Sequence, residues 1–448
     1  MDKIKDKLLE YQIQHTENLV RILKNNGSCL DASDTGTGKT YSAIAACFML
    51  ELKPIIICPK TIKNTWKSVC EYFNVIPELI VNYEGLKSGN SYSDLIVTEN
   101  SKTKKTEFQF IPKVGTIFIF DEAHRCANLD TENCKILLAA KQTGQPILLL
   151  SATIADFPEK FKPFFYVLNF IKEEQIKTMN ISIEKYMRIV DDWIWRDKRP
   201  MVRIHVMLYP DRASRMRIDV LGDLFPETQI TATPYNLDEA RRKKIEQEYK
   251  ILDDILQEIK DKKSTDKKNP LVYVMRAQQN IEALKIPLFI ELANDYMQNG
   301  YSVVIFVNFT NTLEKLCEML HVNNKIYGEQ TIDERNKIIE DFQANKSKII
   351  ICNIKAGGIG ISLHDIHGGH PRVSLISPTW SSIDLIQALG RIHRAGGKSK
   401  SLQRIIYAAE TVEDRIADKI KAKLLNINSI NNGDLDLTNI EFQTERIK

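Results

Sequence analysis

The 448-residue sequence lacks any apolar run that approaches the ~20 residues of a membrane-spanning helix. Its first residues, MDKIKDKLLEYQ, are charged and helix-like, unlike the apolar core of a secretory signal. The eight cysteines lie singly and no CxxC pair occurs, which is typical of reduced core residues. These absences predict a soluble intracellular protein of the cytoplasm, the nucleus or a virion.

The sequence also lacks a large excess of charge of one sign. The 62 Lys and Arg residues nearly balance 58 Asp and Glu residues, which leaves a net charge of +4. This balance argues against a protein that coats nucleic acid and favours basic contacts confined to one site. No solenoid-type repeat is present, and the length allows two to three domains of ordinary size.

The first local motif that is present is a glycine-rich turn, DASDTGTGKT at 31–40, between an apolar stretch and a helix-like segment. Gly36 and Gly38 allow backbone N–H groups to face phosphate oxygens, and a helix beginning near Lys39 adds its positive end. Lys39 is expected to reach the β- and γ-phosphates of a nucleotide, and Thr40 to ligate Mg²⁺. A serine replaces the first glycine of the simple pattern, so a plain strand-to-helix turn is the alternative. The expected nucleotide-binding residues of this loop are Thr35, Gly36, Thr37, Gly38, Lys39 and Thr40.

A pair of acidic residues follows a second apolar run, in the segment TIFIFDEAH. The run from Ile117 to Phe120 does not alternate, as is typical of a strand buried on both faces of a parallel sheet. Ligands of such sheets bind at the carboxyl ends of the strands. We therefore expect Asp121 to hold Mg²⁺ and Glu122 to polarise the attacking water as general base. An acidic helix cap is the alternative.

Two segments of the C-terminal half carry glycines and arginines, NIKAGGIGISLHD at 353–365 and QALGRIHRAGG at 387–397. The glycines permit close backbone approach, and Gln387, Arg391 and Arg394 form a spaced polar face. The planar guanidinium stays charged and can meet phosphate oxygens in a bidentate manner, as an arginine finger does. Without its context the second segment would be interpreted as a basic solvated helix.

Together these motifs resemble those of superfamily 2 helicases, and they are most similar to SNF2-like DNA translocases and their compact viral and phage relatives. The matching segments, in chain order, are Tyr11-Gln12, SDTGTGKT, ICPKTIKNTW, VNYEGL, DEAH, SAT, VVIFVNFTNTLEKL, AGGIGISL and QALGRIHR. The resemblance implies an α/β fold of two RecA-like parallel-sheet domains. It also implies ATP in the cleft between the domains and nucleic acid across their tops, with DNA favoured and RNA possible.

The resemblance further implies roles for single residues. Gln12 would select adenine, Gly360 would approach the nucleotide, and His124 would contact Gln387 across the cleft. The arginine pair would sense the γ-phosphate. Contacts with the sugar-phosphate backbone would position the nucleic acid without reading its bases. The residues implied to make them are Pro59, Lys60 and Thr61 in the first domain, and Asn308, Thr310, Lys355, Ala356 and Gly357 in the second.

The apolar runs also predict the organisation of the chain. Buried strands are expected at 54–58, 116–120, 147–150, 303–307, 348–352, 373–376 and 404–407. The expected parts are a first RecA-like domain at 1–156, a middle insertion with a charged helical linker at 157–286, a second RecA-like domain at 287–424 and a C-terminal tail at 425–448.

The middle insertion carries two groups of residues that invite a functional interpretation. Arg212, Arg215 and Arg217 could grip phosphates or the rim of the ATP site, and a solvated basic turn is the alternative. Trp193 and Trp195 are expected to pack in the core of a helical subdomain. Stacking on a base, or a wedge that separates strands, is the alternative for the tryptophans.

Three histidines, His364, His367 and His370, resemble a metal cluster. Zinc requires ligands that converge, usually four of them. Because this stretch follows AGGIGISL and leads into the next strand, a loop near the nucleotide is the favoured interpretation.

Three functions are compatible with these patterns. The favoured one is an ATP-dependent translocase on double-stranded DNA, because AGGIGISL and GRIHRAGG are similar to the SNF2-like form. The second is a helicase that separates strands of DNA or RNA. The third is a nucleotide-gated clamp without turnover, which is disfavoured because the lysine, both acidic residues and both arginines are all present.

Overall fold

The computed structural model describes residues 2–88, 92, 94–99, 106–170, 183–221, 225–260, 270–357, 360–379, 381–409, 413–432 and 440–442. The chain forms two compact units. Unit 1 comprises Met1–Gly222 with Lys423–Leu437, and unit 2 comprises Asp223–Ala422 with Thr438–Lys448. Each unit therefore combines segments that are distant in the sequence.

Unit 1 is built on a six-stranded sheet whose neighbouring strands are all parallel, in the order β3-β2-β6-β7-β1-β8. Its strands are β1 (Ser28–Asp31), β2 (Lys53–Cys58), β3 (Leu79–Asn82), β6 (Thr116–Asp121), β7 (Ile147–Leu150) and β8 (Ala213–Ser214), and an antiparallel hairpin joins β4 (Leu95–Glu99) to β5 (Thr106–Phe110). The apolar runs in β2, β6 and β7 are fully buried, which explains why they lack alternation. The strands expected at 54–58, 116–120 and 147–150 are confirmed.

Helices cover this sheet. They are α1 (Asp2–Lys5), α2 (Glu10–Asn26), α3 (Lys39–Leu50), α4 (Lys63–Phe73), α5 (Tyr83–Lys87), α6 (Glu132–Gln142), α7 (Lys162–Val167), α8 (Ile183–Arg196) and α9 (Pro200–Leu208). Single 3-10 turns lie at Lys60–Ile62, Ala123–Cys126, Pro158–Phe161 and Ile218–Val220. Helix α6 begins where the Thr131 hydroxyl accepts a hydrogen bond from the Cys134 N–H, a standard cap.

Unit 2 contains a seven-stranded sheet that is also parallel throughout, in the order β11-β12-β10-β13-β14-β9-β15. Its strands are β9 (Thr228–Tyr235), β10 (Ser302–Val307), β11 (Lys325–Ile326), β12 (Ile349–Asn353), β13 (Arg372–Ile376), β14 (Ser401–Ala408) and β15 (Ile440–Phe442). The four strands expected in the second half of the chain are confirmed as β10, β12, β13 and β14.

The helices of unit 2 are α10 (Glu239–Lys260), α11 (Pro270–Leu284), α12 (Ile286–Gln298), α13 (Thr310–Leu320), α14 (Ile332–Gln343), α15 (Ile354–Gly357) and α16 (Ser382–Leu389). The last helix, α17 (Glu413–Asn432), begins in unit 2 and ends in unit 1. A capping box between Thr331 and Glu334 begins α14.

The segment 157–286, expected as an insertion, is instead divided between the two units. Helices α7 to α9 pack into the core of unit 1, and β8 extends its sheet beside β1. Strand β9 lies between β14 and β15 in the other sheet. The two parts of the segment belong to different units because β8 forms an edge of the first sheet, whereas β9 lies inside the second.

The expected tail, 425–448, is likewise divided. The end of α17 belongs to unit 1, where Ile430 is buried in the core, whereas β15 pairs with β9 in unit 2. All eight cysteines are buried and free, including Cys58 in β2 and Cys352 in β12, as expected. Among the described helices none combines the length and apolar character needed to cross a bilayer.

Candidate nucleotide and nucleic-acid sites

The glycine-rich loop lies between the end of β1 and the start of α3, as the sequence predicts. Gly36 and Gly38 have φ of 88° and 86°, values that residues with side chains rarely adopt. A Cβ on Gly38 would lie 2.3 Å from the Gln12 amide nitrogen. The backbone conformation therefore favours glycine at position 38, and a side chain there would also displace the Gln12 amide from the loop.

The ammonium group of Lys39 lies inside the loop. Its Nζ donates hydrogen bonds to the carbonyl oxygens of Ser33, at 2.8 Å, and Asp34, at 3.0 Å. Thr40 follows in the first turn of α3, where the backbone N–H groups at the helix N-terminus favour anions. The loop therefore places a cation and a helix N-terminus at one edge of the sheet.

Gln12 ties helix α2 to this loop. Its Nε2 donates to the carbonyl oxygen of Thr37 at 3.0 Å, and its Oε1 accepts from the Leu9 N–H at 3.0 Å. The hydroxyl of Tyr11 donates to the same Thr37 carbonyl. The residue expected to select adenine thus has one amide N–H committed to the phosphate loop.

The acidic pair emerges at the end of β6, as predicted. Trp66 Nε1 donates to Asp121 Oδ2 at 2.9 Å, and the N–H of Glu122 donates to Oδ1 at 2.9 Å. Burial and the neighbouring Glu122 carboxylate raise the pKa of Asp121 to about 7, although the Trp66 hydrogen bond and the charge of Lys39 oppose this. The sheet thus brings Asp121 within electrostatic range of Lys39.

Glu122 adopts a left-handed backbone conformation, with φ of 54°. This conformation is uncommon for a residue with a side chain and often marks a functional site. The Glu122 Oε2 lies 3.4 Å from His124 Nδ1, which is 3.2 Å from the Ser151 hydroxyl. Ser151, directly after β7, therefore contacts the turn that follows β6.

A buried network beneath the loop was missed by the sequence analysis. His15 Nε2 lies 3.1 Å from Asp31 Oδ2, and His15 Nδ1 lies 2.9 Å from the Ser214 hydroxyl. Burial opposes ionisation of Asp31, but the charge and hydrogen bond of His15, with the charge of Lys39, leave the Asp31 pKa below its usual value. No local pattern indicates this network, because its members come from α2, β1 and β8.

Arg215 was expected to grip phosphates or the rim of the ATP site, with a solvated turn as the alternative, and the structure places it on the phosphate loop. Its Nε and Nη2 donate to Asp34 Oδ1 in the phosphate loop, at 3.1 and 2.5 Å. Arg217 pairs with Asp219, and Arg212 donates to the carbonyl oxygens of Met207 and Asn169. Nearby, Trp193 packs against Phe165 as expected, whereas the Trp195 side chain lies outside the described part.

Unit 2 brings the arginine pair together with the AGGIGISL segment. Arg391 is 2% exposed, and its Nη1 donates to the Ile361 carbonyl oxygen at 3.3 Å. Arg394 is more accessible and donates to the Ser362 hydroxyl at 2.8 Å. Gln387 lies on α16, and Gly360 has φ of 75°. The two predicted motifs thus form one cluster in unit 2.

Two of the residues expected to grip nucleic acid in unit 2, Asn308 and Lys355, line one cavity of about 370 Å³. Asn308 Nδ2 donates to Glu282 Oε2 and to the Pro378 carbonyl oxygen, at 2.8 and 2.9 Å. Glu282 is 3% exposed and also accepts from the Asn308 N–H. The Asn308 amide therefore fixes the loop after β10. Lys355, the charged residue of the two, is exposed.

The remaining predicted grip residues lie at the starts of helices. Pro59 precedes a 3-10 turn that begins at Lys60, an exposed residue, and Thr61 follows. Thr310 is exposed at the start of α13. Ala356 and Gly357 belong to the short helix α15, while the neighbouring Gly358 lies outside the described residues.

The histidine stretch forms a loop organised by Asp365. Its carboxylate accepts hydrogen bonds from the backbone N–H groups of His367, Gly368 and His370 and from the Ser399 hydroxyl. Burial and the positive charges of Arg394 and Arg372 lower the pKa of His364 to about 4. Within the described ranges no three potential ligands converge on a metal position.

Comparison with known proteins relates both units to helicases. Residues 5–156 match the family model "Type III restriction enzyme, res subunit", and residues 284–396 match "Helicase conserved C-terminal domain". A protein of Acanthamoeba polyphaga mimivirus, described as "Putative ATP-dependent RNA helicase", is 41% identical over 96% of this chain and 84% of its own length. The chain therefore belongs to the superfamily 2 helicases and ATPases, and it is an ATP-dependent nucleic-acid motor.

Relatives of the SNF2 group are more distant. A CHD3-type chromatin-remodeling factor of Arabidopsis thaliana is 24% identical over 93% of this chain, which spans 37% of that protein. Saccharomyces cerevisiae Dbp5 bound to RNA and ADP BeF3 is 14% identical, with a TM-score of 0.47 over 99% of this chain and 95% of that one. The matches to chromatin-remodeling proteins confirm the SNF2-like resemblance at the level of the family.

Proposed function

We propose that ATP binds at the glycine-rich loop, with its phosphates at Lys39 and the N-terminus of α3. The observation that carries this proposal is the convergence of Lys39, Asp121 and Glu122 at the carboxyl ends of β1 and β6. Gln12 would recognise adenine with the amide N–H that Thr37 does not use. On nucleotide binding, the Lys39 ammonium would donate its hydrogen bonds to phosphate oxygens instead of to the two backbone carbonyl oxygens.

The donor set fits Mg²⁺, which prefers oxygen ligands. The Thr40 hydroxyl and the Asp121 carboxylate would hold it, and a bound cation would neutralise the charge of the nucleotide phosphates. The raised pKa of Asp121 supports this assignment, because a buried carboxylate beside Glu122 lacks a full compensating charge. Asp121 is kept in place by Trp66, whose indole holds one carboxylate oxygen.

Within this site Glu122 would act as general base. Its Oε2 lies 3.4 Å from His124 Nδ1, and His124 in turn contacts the Ser151 hydroxyl. A carboxylate held near neighbours in this way can orient water for attack on the γ-phosphate. Arg391 and Arg394 of unit 2 would stabilise the charge that develops on the phosphate, aided by Gln387. The greater exposure of Arg394 makes it the more direct candidate.

We propose that residues 1–156 carry the ATP-binding part, that 287–424 carry the arginine part, and that double-stranded DNA is the track. The SNF2-type relatives support DNA, whereas the name of the mimivirus protein favours RNA as a second candidate. Backbone grips would lie at Pro59, Lys60 and Thr61 in unit 1. In unit 2 they would lie at Thr310, Lys355, Ala356 and Gly357, with Asn308 as their support.

Triplex displacement measured beside unwinding of forked DNA and RNA duplexes tests this proposal. A translocase on duplex DNA displaces the third strand with ATP and leaves the forks closed. The Glu122→Gln variant serves as a control without turnover. Opening of forks would favour the strand-separating alternative, and unwinding confined to RNA would exclude the DNA assignment.

A further inference from the structure

The phosphate loop carries a carboxylate of its own. Asp34 lies in the loop, five residues before Lys39, and its carbonyl oxygen accepts a hydrogen bond from the Lys39 ammonium. ATP is a polyanion, so an uncompensated negative charge at this position would oppose nucleotide binding. The loop therefore requires a second cation besides Lys39.

Arg215 supplies that cation. Its Nε and Nη2 both donate to Asp34 Oδ1, while the N–H of Ile218 donates to Asp34 Oδ2 at 3.0 Å. The side chains of Arg215 and Asp34 are only 12% and 23% exposed, so water and salt screen the pair less than a surface ion pair. Both carboxylate oxygens of Asp34 therefore accept hydrogen bonds from the short segment between Arg215 and Ile218.

The backbone holds Arg215 in this position. Strand β8 pairs with β1, and beyond it the N–H of Asp34 donates to the Met216 carbonyl oxygen at 3.0 Å. In the opposite direction the N–H of Met216 donates to the Ser33 hydroxyl at 2.8 Å. These hydrogen bonds flank Arg215 on both sides, so its side chain is positioned by the stem of the loop that it neutralises.

We propose that Arg215 is a positioning residue of the ATPase, which neutralises Asp34 so that the loop presents a net positive charge to the nucleotide phosphates. The inference rests on the proposed nucleotide-binding role of the loop. Arg215 acts through Asp34 rather than by touching phosphate. The effect of Arg215 on binding affinity consequently grows with the negative charge of the nucleotide. The affinity for ATP therefore depends on Arg215 more than the affinity for ADP does.

Nucleotide titrations of the full-length protein test this inference. Dissociation constants for fluorescent ATP and ADP analogues are measured at low and high salt for wild type, Arg215→Ala, Asp34→Asn and the double variant. Arg215→Ala weakens ATP binding by about tenfold, equivalent to ~1.4 kcal/mol, and ADP binding by less. Asp34→Asn alone binds ATP at least as tightly as wild type, because the amide oxygen still accepts from Ile218.

The double variant separates electrostatics from structure. Removing the carboxylate in Arg215→Ala/Asp34→Asn restores ATP affinity to within about threefold of wild type. Added salt reduces the remaining difference in ATP affinity between the double variant and wild type. A purely structural role would make Asp34→Asn as harmful as Arg215→Ala, with equal losses for ATP and ADP. That result would overturn the inference.

Two further variants complete the test. Arg217→Ala is the matched control, because Arg217 lies two residues away and pairs with Asp219 instead of the loop. It leaves ATP affinity unchanged. Lys39→Ala tests the underlying site. If Lys39→Ala binds ATP normally, the proposed function fails, whereas loss of binding in Lys39→Ala with no effect of Arg215→Ala refutes only the role of Arg215.

Discussion

At the scale of single residues, Glu122 has a left-handed backbone conformation that is uncommon for a residue with a side chain. Its φ of 54° bends the chain at the end of β6, directly after the buried Asp121. Adjacent acidic residues therefore have different surroundings. Asp121 has both oxygens engaged by N–H donors, whereas Glu122 lies near His124. These surroundings favour metal binding by the first residue and proton transfer by the second.

Replacement of Glu122 by glutamine should retain ATP binding and abolish hydrolysis. The amide has nearly the same shape but cannot accept a proton, whereas the phosphate loop is unchanged. Turnover should fall by about 10² to 10⁴, and a nucleotide titration should give an affinity close to wild type. Glu71→Gln on the exposed side of α4 is the control and should keep full activity. Substantial hydrolysis by Glu122→Gln would remove Glu122 from the mechanism.

His364 should make unit 2 sensitive to mild acid. Its pKa is lowered to about 4 by burial and by Arg394 and Arg372, so the unfolded chain binds a proton at a higher pH than the folded chain does. Stability is therefore complete above the unfolded pKa of about 6.5 and decreases as the pH falls toward 4. Because the ring is partly exposed, we expect a loss of only about 1–2 kcal/mol by pH 5.

Urea unfolding at pH 7.5 and pH 5 measures this effect. His364→Gln should lose less stability between the two pH values than wild type does. His367→Gln, at an exposed position of the same loop, should behave like wild type. An identical acid response in His364→Gln would contradict the assignment.

At the scale of elements, the end of α17 is anchored in unit 1 by contacts with its loops. Asn431 Nδ2 donates to the Ala152 carbonyl oxygen at 2.9 Å, and Asn426 Nδ2 donates to the Asp156 carbonyl oxygen at 3.0 Å. Ile430 is 1% exposed in the core of the unit. The SAT loop is therefore held from one side by residues near the end of the chain.

Ile430→Ala should destabilise unit 1 by about 2–5 kcal/mol, because it removes buried methyl groups and leaves a cavity. Leu425→Ala is the matched control in the same helix, since Leu425 is 40% exposed and should cost little. Denaturant unfolding followed by tryptophan fluorescence measures both variants. Equal, small effects would show that the helix end contributes no core packing.

The sequence predicted the central strands well and the edge strands poorly. Strands β2, β6, β10 and β12 are long apolar runs whose burial is evident from composition alone. Strand β8 has only two residues, so no periodicity identifies it, and its place beside β1 is decided by tertiary contacts.

The same limit applies to side chains. Lys39 and Asp121 belong to local motifs that the sequence displays, and the structure brings them within electrostatic range of each other. Trp66 and His15 acquire their roles from partners that are distant in the sequence, which no local pattern could indicate. The cluster of arginines indicated Arg215, but not its distant partner Asp34.

At the scale of the whole molecule, the balance of charge means that nucleic acid must be bound by a few localised contacts. We expect nucleic acid to stimulate ATP hydrolysis, and the stimulation to fall by about tenfold or more between 50 and 200 mM salt as counterion release becomes less favourable. Steady-state ATPase assays across this range, with and without duplex DNA, measure it. A rate of ATP hydrolysis that changes with neither duplex DNA nor salt would favour a nucleotide-gated clamp.

Arg394→Ala should reduce turnover far more than ATP affinity, because the proposed contact matters most when charge develops on the transferred phosphate. Comparison of kcat with the nucleotide dissociation constant separates these effects, and we expect a loss of about 10³ or more in kcat. Arg276→Ala, an exposed arginine of the same unit, is the control. A variant that merely binds ATP more weakly would show that Arg394 is no arginine finger.

The burial of Ile430 in unit 1 has a consequence for protein synthesis. The ribosome makes residues 1–222 first, yet the core of that unit also includes a side chain from near the end of the chain. Strand β15 completes the sheet of unit 2 from a position still later in the sequence. Unit 1 therefore cannot complete its core before residue 430 has been synthesised, and unit 2 cannot complete its sheet before β15 has been synthesised.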